Sequence, residues 1–340
     1  MPFNLAKFDA ALQTLLQFNH GLTAATLRPS LKLHCFAELD STNRKLWELL
    51  AQGASEGTIV LAETQTAGKG QWGRSWDSQT GGLYLSIALQ PDLDVEEAAQ
   101  LTLCSAWGIA TALREFPGLL AADAKKVAGQ DPLQDPLQVA EPVPTEFPVQ
   151  VPMPVQAPVQ VPVQVKWLND LVLQGRKLGG ILTETRLRQG KIHQAVVGVG
   201  INWCNSPPPP GICLQEILQS QPVPGLESLE SLAAIVTLGV IGGYATWRTY
   251  GVAAMLPRYL DLLVNLGQTV TWESYRGVVV GVTAQGNLHV RLQSKAEMSP
   301  LEVSLEIQQA VSGNPSPDPE SSQDRYLPPG MVQLGYSGQQ

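Results

Sequence analysis

The chain has 340 residues, 44% of them hydrophobic, enough to bury one large core and a small second one without staples. Its four scattered cysteines, Cys35, Cys104, Cys204 and Cys213, form no C-x-x-C pair, so neither a disulfide framework nor a zinc site is expected, and a cytoplasmic setting is. Net charge is −8, much of it in a proline-rich stretch and in the tail; the nearly neutral remainder argues against nucleic acid as a partner.

Residues 1–33 read as a lead-in segment. They have no basic region followed by an apolar run, so no signal peptide is expected, and no basic helix-turn-helix. His34 to Glu38 reads as a strand. Asp40-Ser41-Thr42-Asn43 is an N-cap cluster opening a helix through Leu50. Thr58 to Ala62 is the apolar run of a buried strand.

Gly68-Lys69-Gly70-Gln71-Trp72-Gly73-Arg74-Ser75-Trp76 follows. Glycines at this density let backbone N–H groups approach an anion, and Lys69 and Arg74 add charge. The loop lacks the Gly-Lys-Ser/Thr ending of a P-loop and the strand-to-helix setting of a dinucleotide fingerprint. A flexible surface loop is the plain alternative. Trp72 and Trp76 weigh against it, because an exposed indole is costly unless it covers something flat.

Leu83 to Leu89 reads as a strand and Glu96 to Glu115 as a helix. From about 123 to 163 the chain repeats Pro, Val and Gln, which prevents helix and ladder alike and reads as a polyproline-like insertion. Val163 to Trp167 is strand-like and ends in Lys166-Trp167-Leu168-Asn169-Asp170. Lys166 can face a cleft at the end of the sheet. Asn169 and Asp170 offer an Asx turn and, in Asp170, an oxygen for a metal; a solvated strand-end turn is the alternative.

Asp170 to Leu173, Gly180 to Arg186 and Gln194 to Ile201 read as strands. Lys177 precedes the pair Gly179-Gly180, where a ligand or another backbone can come close. Gly198 and Gly200 leave one strand face bare, for a ligand or for tight packing. Leu229 to Tyr250 and Val252 to Leu263 are helical. The uncharged run Ser231 to Trp247 is short for a membrane span and reads as a buried helix.

Then the pattern changes to short β runs, Thr269 to Trp272, Gly277 to Thr283, Leu288 to Leu292 and Leu301 to Ile307, with a turn at Gln285-Gly286-Asn287. A small barrel over 266–308 fits. Residues 309–340, rich in Ser, Pro, Gly and Gln, read as a disordered tail.

In this order, the 40–43 cluster, Gln65 with the loop 68–76, the 166–170 turn, Arg176 to Leu182 and Gly198 to Asn202 resemble the catalytic core of the biotin–protein ligases, also called biotin–acetyl-CoA-carboxylase ligases. The resemblance covers about Cys35 to Leu263 without the insertion and continues into the C-terminal part. It implies an α+β fold: a mixed-sheet catalytic domain of the biotin/lipoate–protein ligase type over 34–265 and an SH3-like barrel over 266–308. Members that also repress transcription carry an N-terminal winged helix; this chain resembles the ligase-only type.

The resemblance implies ATP and Mg²⁺ as cofactors and biotin as substrate. Biotinyl-5′-AMP forms first, and a lysine of the biotin carboxyl carrier protein of acetyl-CoA carboxylase then takes the biotinyl group. By matching position, Ser41, Thr42, Asn43, Gln65 and Gly180 would line the biotin pocket. Lys69, Gly70 and Gln71 would cover biotin, with Lys69 and Gln71 also reaching the adenylate. Lys166 and Arg74 would be catalytic, Lys166 between carboxylate and α-phosphate. Trp76, Lys177 and Asn202 would border the nucleotide. Mg²⁺ would come with ATP rather than at a dedicated site, with Asp170 as a candidate contact. Neither membrane nor nucleic acid is implied. A free edge strand leaves open a weak or ligand-dependent homodimer, or pairing with the carrier.

Two alternatives remain: a lipoate or other acyl–protein ligase, sharing fold and chemistry, and a non-catalytic biotin-binding protein. Two positions depart from the family. Gln71 stands where arginine is common, forfeiting a charge-assisted bond of about 1.5–3 kcal/mol to the adenylate, unless Lys69 or Trp72 compensates. Leu168 stands where proline is usual, which only stiffens a turn.

Overall fold

The computed structural model describes residues 3–18, 31–128, 161–273, 275–295, 324–332 and 334–336. Helix α1 (Leu5–Phe18) precedes β1 (Lys32–Leu39), α2 (Thr42–Ala51), β2 (Thr58–Gln65), β3 (Gly82–Leu89), β4 (Leu93–Asp94) and α3 (Ala99–Ala128). After the insertion come β5 (Gln164–Lys166), β6 (Asp170–Leu173), β7 (Arg176–Arg188), β8 (Lys191–Asn202), α4 (Leu214–Leu218) and α5 (Leu229–Leu260). The C-terminal part holds β9 (Thr269–Trp272), β10 (Tyr275–Val282), β11 (Leu288–Lys295) and β12 (Asp324–Leu327).

The larger sheet runs β1-β2-β3-β8-β7-β6-β5, with β4 also on β8. Strands β1 and β2 are parallel because α2 carries the chain across between them. The remaining pairs of this sheet are antiparallel. Period-2 alternation gives the sheet two different faces. Val197, Val199 and Ile201 of β8 join the main core under α3 and α5. On the opposite face, Leu46 and Leu50 of α2 cover Val60, Ala88 and Val196. What α2 leaves uncovered on that face is the site described below.

Helices α3 and α5 pack backbone to backbone: a Cβ at Gly243 would lie 2.1 Å from the Cys104 carbonyl oxygen. The uncharged part of α5 is a core helix, as its composition predicts, and the helix breaks at Gly251 (φ 74°), between the two predicted segments.

Several expectations need correction. Part of the lead-in segment belongs to the core, because α1 buries Phe8, Leu12 and Leu15. Helix α3 runs on to Ala128, into the stretch read as insertion, and Val161 and Val163 at its far end are buried. Leu301 to Ile307 lies outside the described residues. The fourth strand of the small antiparallel sheet, β12-β11-β10-β9, comes instead from the tail read as disordered. The reason is local: Tyr326, Leu327, Val332, Leu334 and Tyr336 give that tail an apolar content its overall composition conceals.

Candidate active site

The N-terminus of α2 delivers Ser41, Thr42 and Asn43 buried against the sheet. Ser41 takes the N-cap position with no side-chain cap bond. Thr42 donates to Gln65 Oε1 from its backbone N (2.8 Å) and from Oγ1 (3.1 Å). Gln65 Nε2 donates to Ser78 Oγ at 2.8 Å. Asn43 Nδ2 donates to Glu184 Oε2 at 3.0 Å, and the Ser86 hydroxyl lies 2.6 Å from Asn43 Oδ1. These amides and hydroxyls are therefore locked in one orientation before any ligand arrives, which lowers the cost of binding.

Beside them the sheet is bare. A Cβ at Gly198 would meet Asn43 Oδ1 at 2.3 Å, and one at Gly200 would meet Trp76 Nε1 at 2.5 Å. The alternating glycines thus serve close approach on the α2 side, while their valine neighbours face the core.

The glycine-rich loop is folded by its own backbone. Gly70 N donates to Arg74 O (2.7 Å), Trp76 N to Gly68 O (2.9 Å), and Lys69 bridges Ser75. This lays the Trp76 indole beside Gly180 and Gly200, with Lys177 Nζ 5.3 Å from its ring centroid. Trp72 is 65% exposed, in a left-handed conformation (φ 58°), with its indole against Gly330 of the C-terminal tail.

At the far side stands the 166–170 turn. Asn169 ties it to β7, donating to Ile181 O at 2.8 Å while its carbonyl accepts from Ile181 N at 3.0 Å. Trp167 ties it to the C-terminal part, donating from N to Asn265 Oδ1 and from Nε1 to Gly286 O, each at 2.9 Å. Lys166 is 7% exposed. Burial pushes its pKa below the ordinary 10.5; nearby Asp170 opposes this, and the positive charges of Lys177 and Arg74 add to it. Asp170 Oδ1 pairs with Lys177 Nζ at 2.7 Å, whereas Lys166 Nζ stays 4.0 Å from Oδ2. The site is short of negative charge, so it favours an anionic ligand.

A cavity of about 750 Å³ joins these parts. Ser41, Thr42, Asn43, Gln65, Lys69, Gly70, Gln71, Arg74, Trp76, Lys166, Asp170, Lys177 and Gly180 all line it. Asn202 does not. It is buried behind the wall, bonded weakly to Lys177 O (3.5 Å) and accepting from Asn205 Nδ2 (3.0 Å). Sequence reasoning missed two groups. Glu184 and Ser86 orient Asn43, and nothing in their local pattern marks them. Pro329, Gly330, Val332, Leu334, Gly335 and Tyr336 of the tail also line the cavity. The signal for these was the aromatic and apolar content noted above.

Among the described residues no three His, Cys, Asp or Glu side chains gather as a metal site. Asp170 does not fit a resident dication, because Lys177 and Lys166 already face it.

The biotin/lipoate A/B protein ligase family matches residues 35–202. The bifunctional ligase/repressor BirA of Bacillus subtilis is 29% identical over 170 residues, which cover 50% of this chain and 39% of that protein. The chain thus spans well under two thirds of the length of the first curated relatives it matches. A biotin–acetyl-CoA-carboxylase ligase of Paracoccus denitrificans is 26% identical over 268 residues, covering 75% of this chain and 92% of that one. In fold, the chain is similar to a point mutant of Aquifex aeolicus biotin protein ligase in complex with biotin (TM-score 0.52, 24% identity, 79% of this chain and 97% of that one). It is similar also to the Aquifex enzyme with biotin and ATP (TM-score 0.51, 22% identity, with the same two coverages of 79% and 97%).

Proposed function

Since residues 35–202 match the biotin/lipoate A/B protein ligase family, we propose that the chain is a member that joins biotin to protein by way of biotinyl-5′-AMP, and that its acceptor is the biotin carboxyl carrier protein of acetyl-CoA carboxylase. The name of the Paracoccus relative, a biotin–acetyl-CoA-carboxylase ligase, supports that carboxylase as the target. The carrying observation is the distribution of groups along one cavity. Hydrogen-bonding side chains cluster over β8 and α2, and buried Lys166 stands on β5 with Lys177 and Arg74 nearby. From β8 to β5 is three strand spacings, roughly 14 Å. That span suits a small acid held by polar groups at its head and presenting its carboxylate to a lysine.

Ser41, Thr42, Asn43 and Gln65 would hold the ureido ring, and the bare sheet at Gly180 would admit the carboxyl-bearing chain. Lys166 would lie between the biotin carboxylate and the α-phosphate, where it offsets their repulsion and the charge gathering on phosphorus. The carboxylate oxygen attacks the α-phosphorus, and the bond to pyrophosphate breaks. Arg74 and Lys177 would meet the phosphates, and Mg²⁺ would enter and leave with them as MgATP. Lys69, Gly70, Gln71 and Trp76 would exclude water from the mixed anhydride. A carrier lysine then attacks its carbonyl and AMP leaves. We read the C-terminal sheet as an SH3-like barrel and the enzyme as cytoplasmic.

A lipoate ligase is the nearest rival. A dithiolane ring could make none of the hydrogen bonds that the polar cluster at α2 still offers, and would displace water from it without replacing that water's bonds. Incubation with biotin, MgATP and a carrier-domain fragment, followed by an avidin blot, tests the proposal. Labelling is expected, and its loss in Lys166→Ala. Exchange of ATP with pyrophosphate that depends on lipoate rather than biotin would transfer the assignment to the rival. Biotin binding without exchange would favour a non-catalytic role.

A further inference from the structure

The C-terminal strap occupies a place that nothing in the proposed chemistry explains. Strand β12 anchors it to β11, with Leu327 buried and Asp324 accepting from Arg291 Nε at 3.1 Å. Beyond β12 the chain reaches the catalytic cavity at two points. Gly330 (φ +96°) lies under Trp72: a Cβ there would stand 2.9 Å from the indole Cζ2. Only glycine meets both demands, the left-handed backbone and the contact. Tyr336 then lays its ring 4.3 Å from Lys166 Nζ, and its hydroxyl donates to Asp170 Oδ2.

The strap is a wall of the site rather than a plug, because the cavity keeps about 750 Å³ with the strap in place, within the roughly 300–1,000 Å³ usual for ligand sites. Its chemistry lies in how Asp170 is divided. Lys177 holds Oδ1 and the Tyr336 hydroxyl holds Oδ2. Lys166 is left at 4.0 Å from Oδ2, beyond hydrogen-bond reach, with the Tyr336 ring against its ammonium. An ammonium kept off its nearest carboxylate retains its N–H donors for a ligand.

We propose that Tyr336 is a positioning residue for Lys166: by taking Asp170 Oδ2, it keeps the lysine free for the reacting anions, and the Trp72–Gly330 contact holds strap and glycine-rich loop together over the activated intermediate. The proposal rests on the ligase reading of the site. It also supplies the compensation that Gln71 calls for, since Trp72 can fix the loop where the family's arginine is missing.

The test compares the full-length protein with Tyr336→Phe, Asp170→Asn and the double variant. Biotin-dependent ATP–pyrophosphate exchange is read alongside calorimetric binding of a non-hydrolysable MgATP analogue. Tyr336→Phe keeps the ring, and Lys166 is then drawn onto Asp170. Exchange should fall about tenfold and analogue affinity should fall with it. In the Asp170→Asn background the competitor is gone, so the same substitution should cost less than about twofold. A purely structural tyrosine predicts equal losses in both backgrounds, which would overturn the positioning role. Gly330→Val should speed loss of bound biotinyl-5′-AMP about tenfold. Faster exchange on unlatching would instead make the strap an inhibitory plug and overturn the proposal. A wild-type protein that binds the analogue but shows no biotin-dependent exchange refutes the ligase reading, while the binding comparison still decides the role of Tyr336.

Discussion

Lys166 combines the highest cost with the greatest use of any residue here. Its ammonium is almost wholly buried and no carboxylate lies within hydrogen-bond distance, so it weakens the fold while making the cavity attractive to anions. The sign of the pH effect follows. A base whose folded pKa is lowered is charged in both states below that value, and the penalty is then complete; it fades as pH rises from the folded value to 10.5. The proposed chemistry needs the charged form, so the alkaline limb of exchange should fall below pH 10.5, as a pH–rate profile will read. Replacing the charge with apolar length separates the two roles: Lys166→Met should abolish exchange yet raise the urea midpoint with m unchanged. A lowered midpoint would mean that the lysine stabilises the fold. Gly200 makes the complementary case, of a residue whose absent side chain matters. In Gly200→Ala the new Cβ falls on the Trp76 indole, which is only partly buried and can swing away from the sheet. The loss should appear in the site and not in the fold: KM for biotin should rise about tenfold, or ~1.4 kcal/mol, with little change in unfolding.

At the scale of elements, α1 shows where sequence and structure part. A 14-residue helix burying Phe8, Leu12 and Leu15 joins the main core beside α5. Leu15 is fully buried, so Leu15→Ala should cost about 2–5 kcal/mol by loss of transfer energy and cavity formation, measured by urea unfolding. A change under about 1 kcal/mol, far below that range, would mean that α1 is dispensable. Strands β1 to β3 and β6 to β8 were legible because each is a run of apolar or alternating residues between turns, and α2 because Asp40 to Asn43 signals its start. The glycine-rich loop and the 166–170 turn were legible through chemistry, since their charges and glycines suit no core. Helix α1 and strand β12 were not, because each is short and gains its order only from what it packs against: α5 for one, β11 for the other. Asn202 misled for a related reason. The resemblance set it at the nucleotide by matching position, but the strand end turns it toward Asn205 and it does not line the cavity.

Over the whole molecule, the C-terminal part supports the 166–170 turn from two directions. From behind, Gly286 accepts the Trp167 indole N–H, and Leu263, in the turn between α5 and β9, bridges Val165. From in front, the strap brings Tyr336 to Lys166. Lys166 thus sits between two parts of one small β unit, whose fourth strand arrives from far along the chain. Trp167→Phe tests the rear support without touching the cavity's charges. It deletes one donor and leaves the Gly286 carbonyl buried without it, a cost of roughly 1–3 kcal/mol, while the ring still fills most of its space. If the C-terminal sheet only appends to the catalytic domain, unfolding should shift and kcat for exchange should hold. If it fixes the turn, kcat should also fall, by about tenfold, with KM for biotin unchanged, because the polar cluster at α2 lies on the other side of the sheet from the lost bond. We expect the second outcome. Steady-state exchange kinetics at a temperature where the variant remains folded will distinguish them.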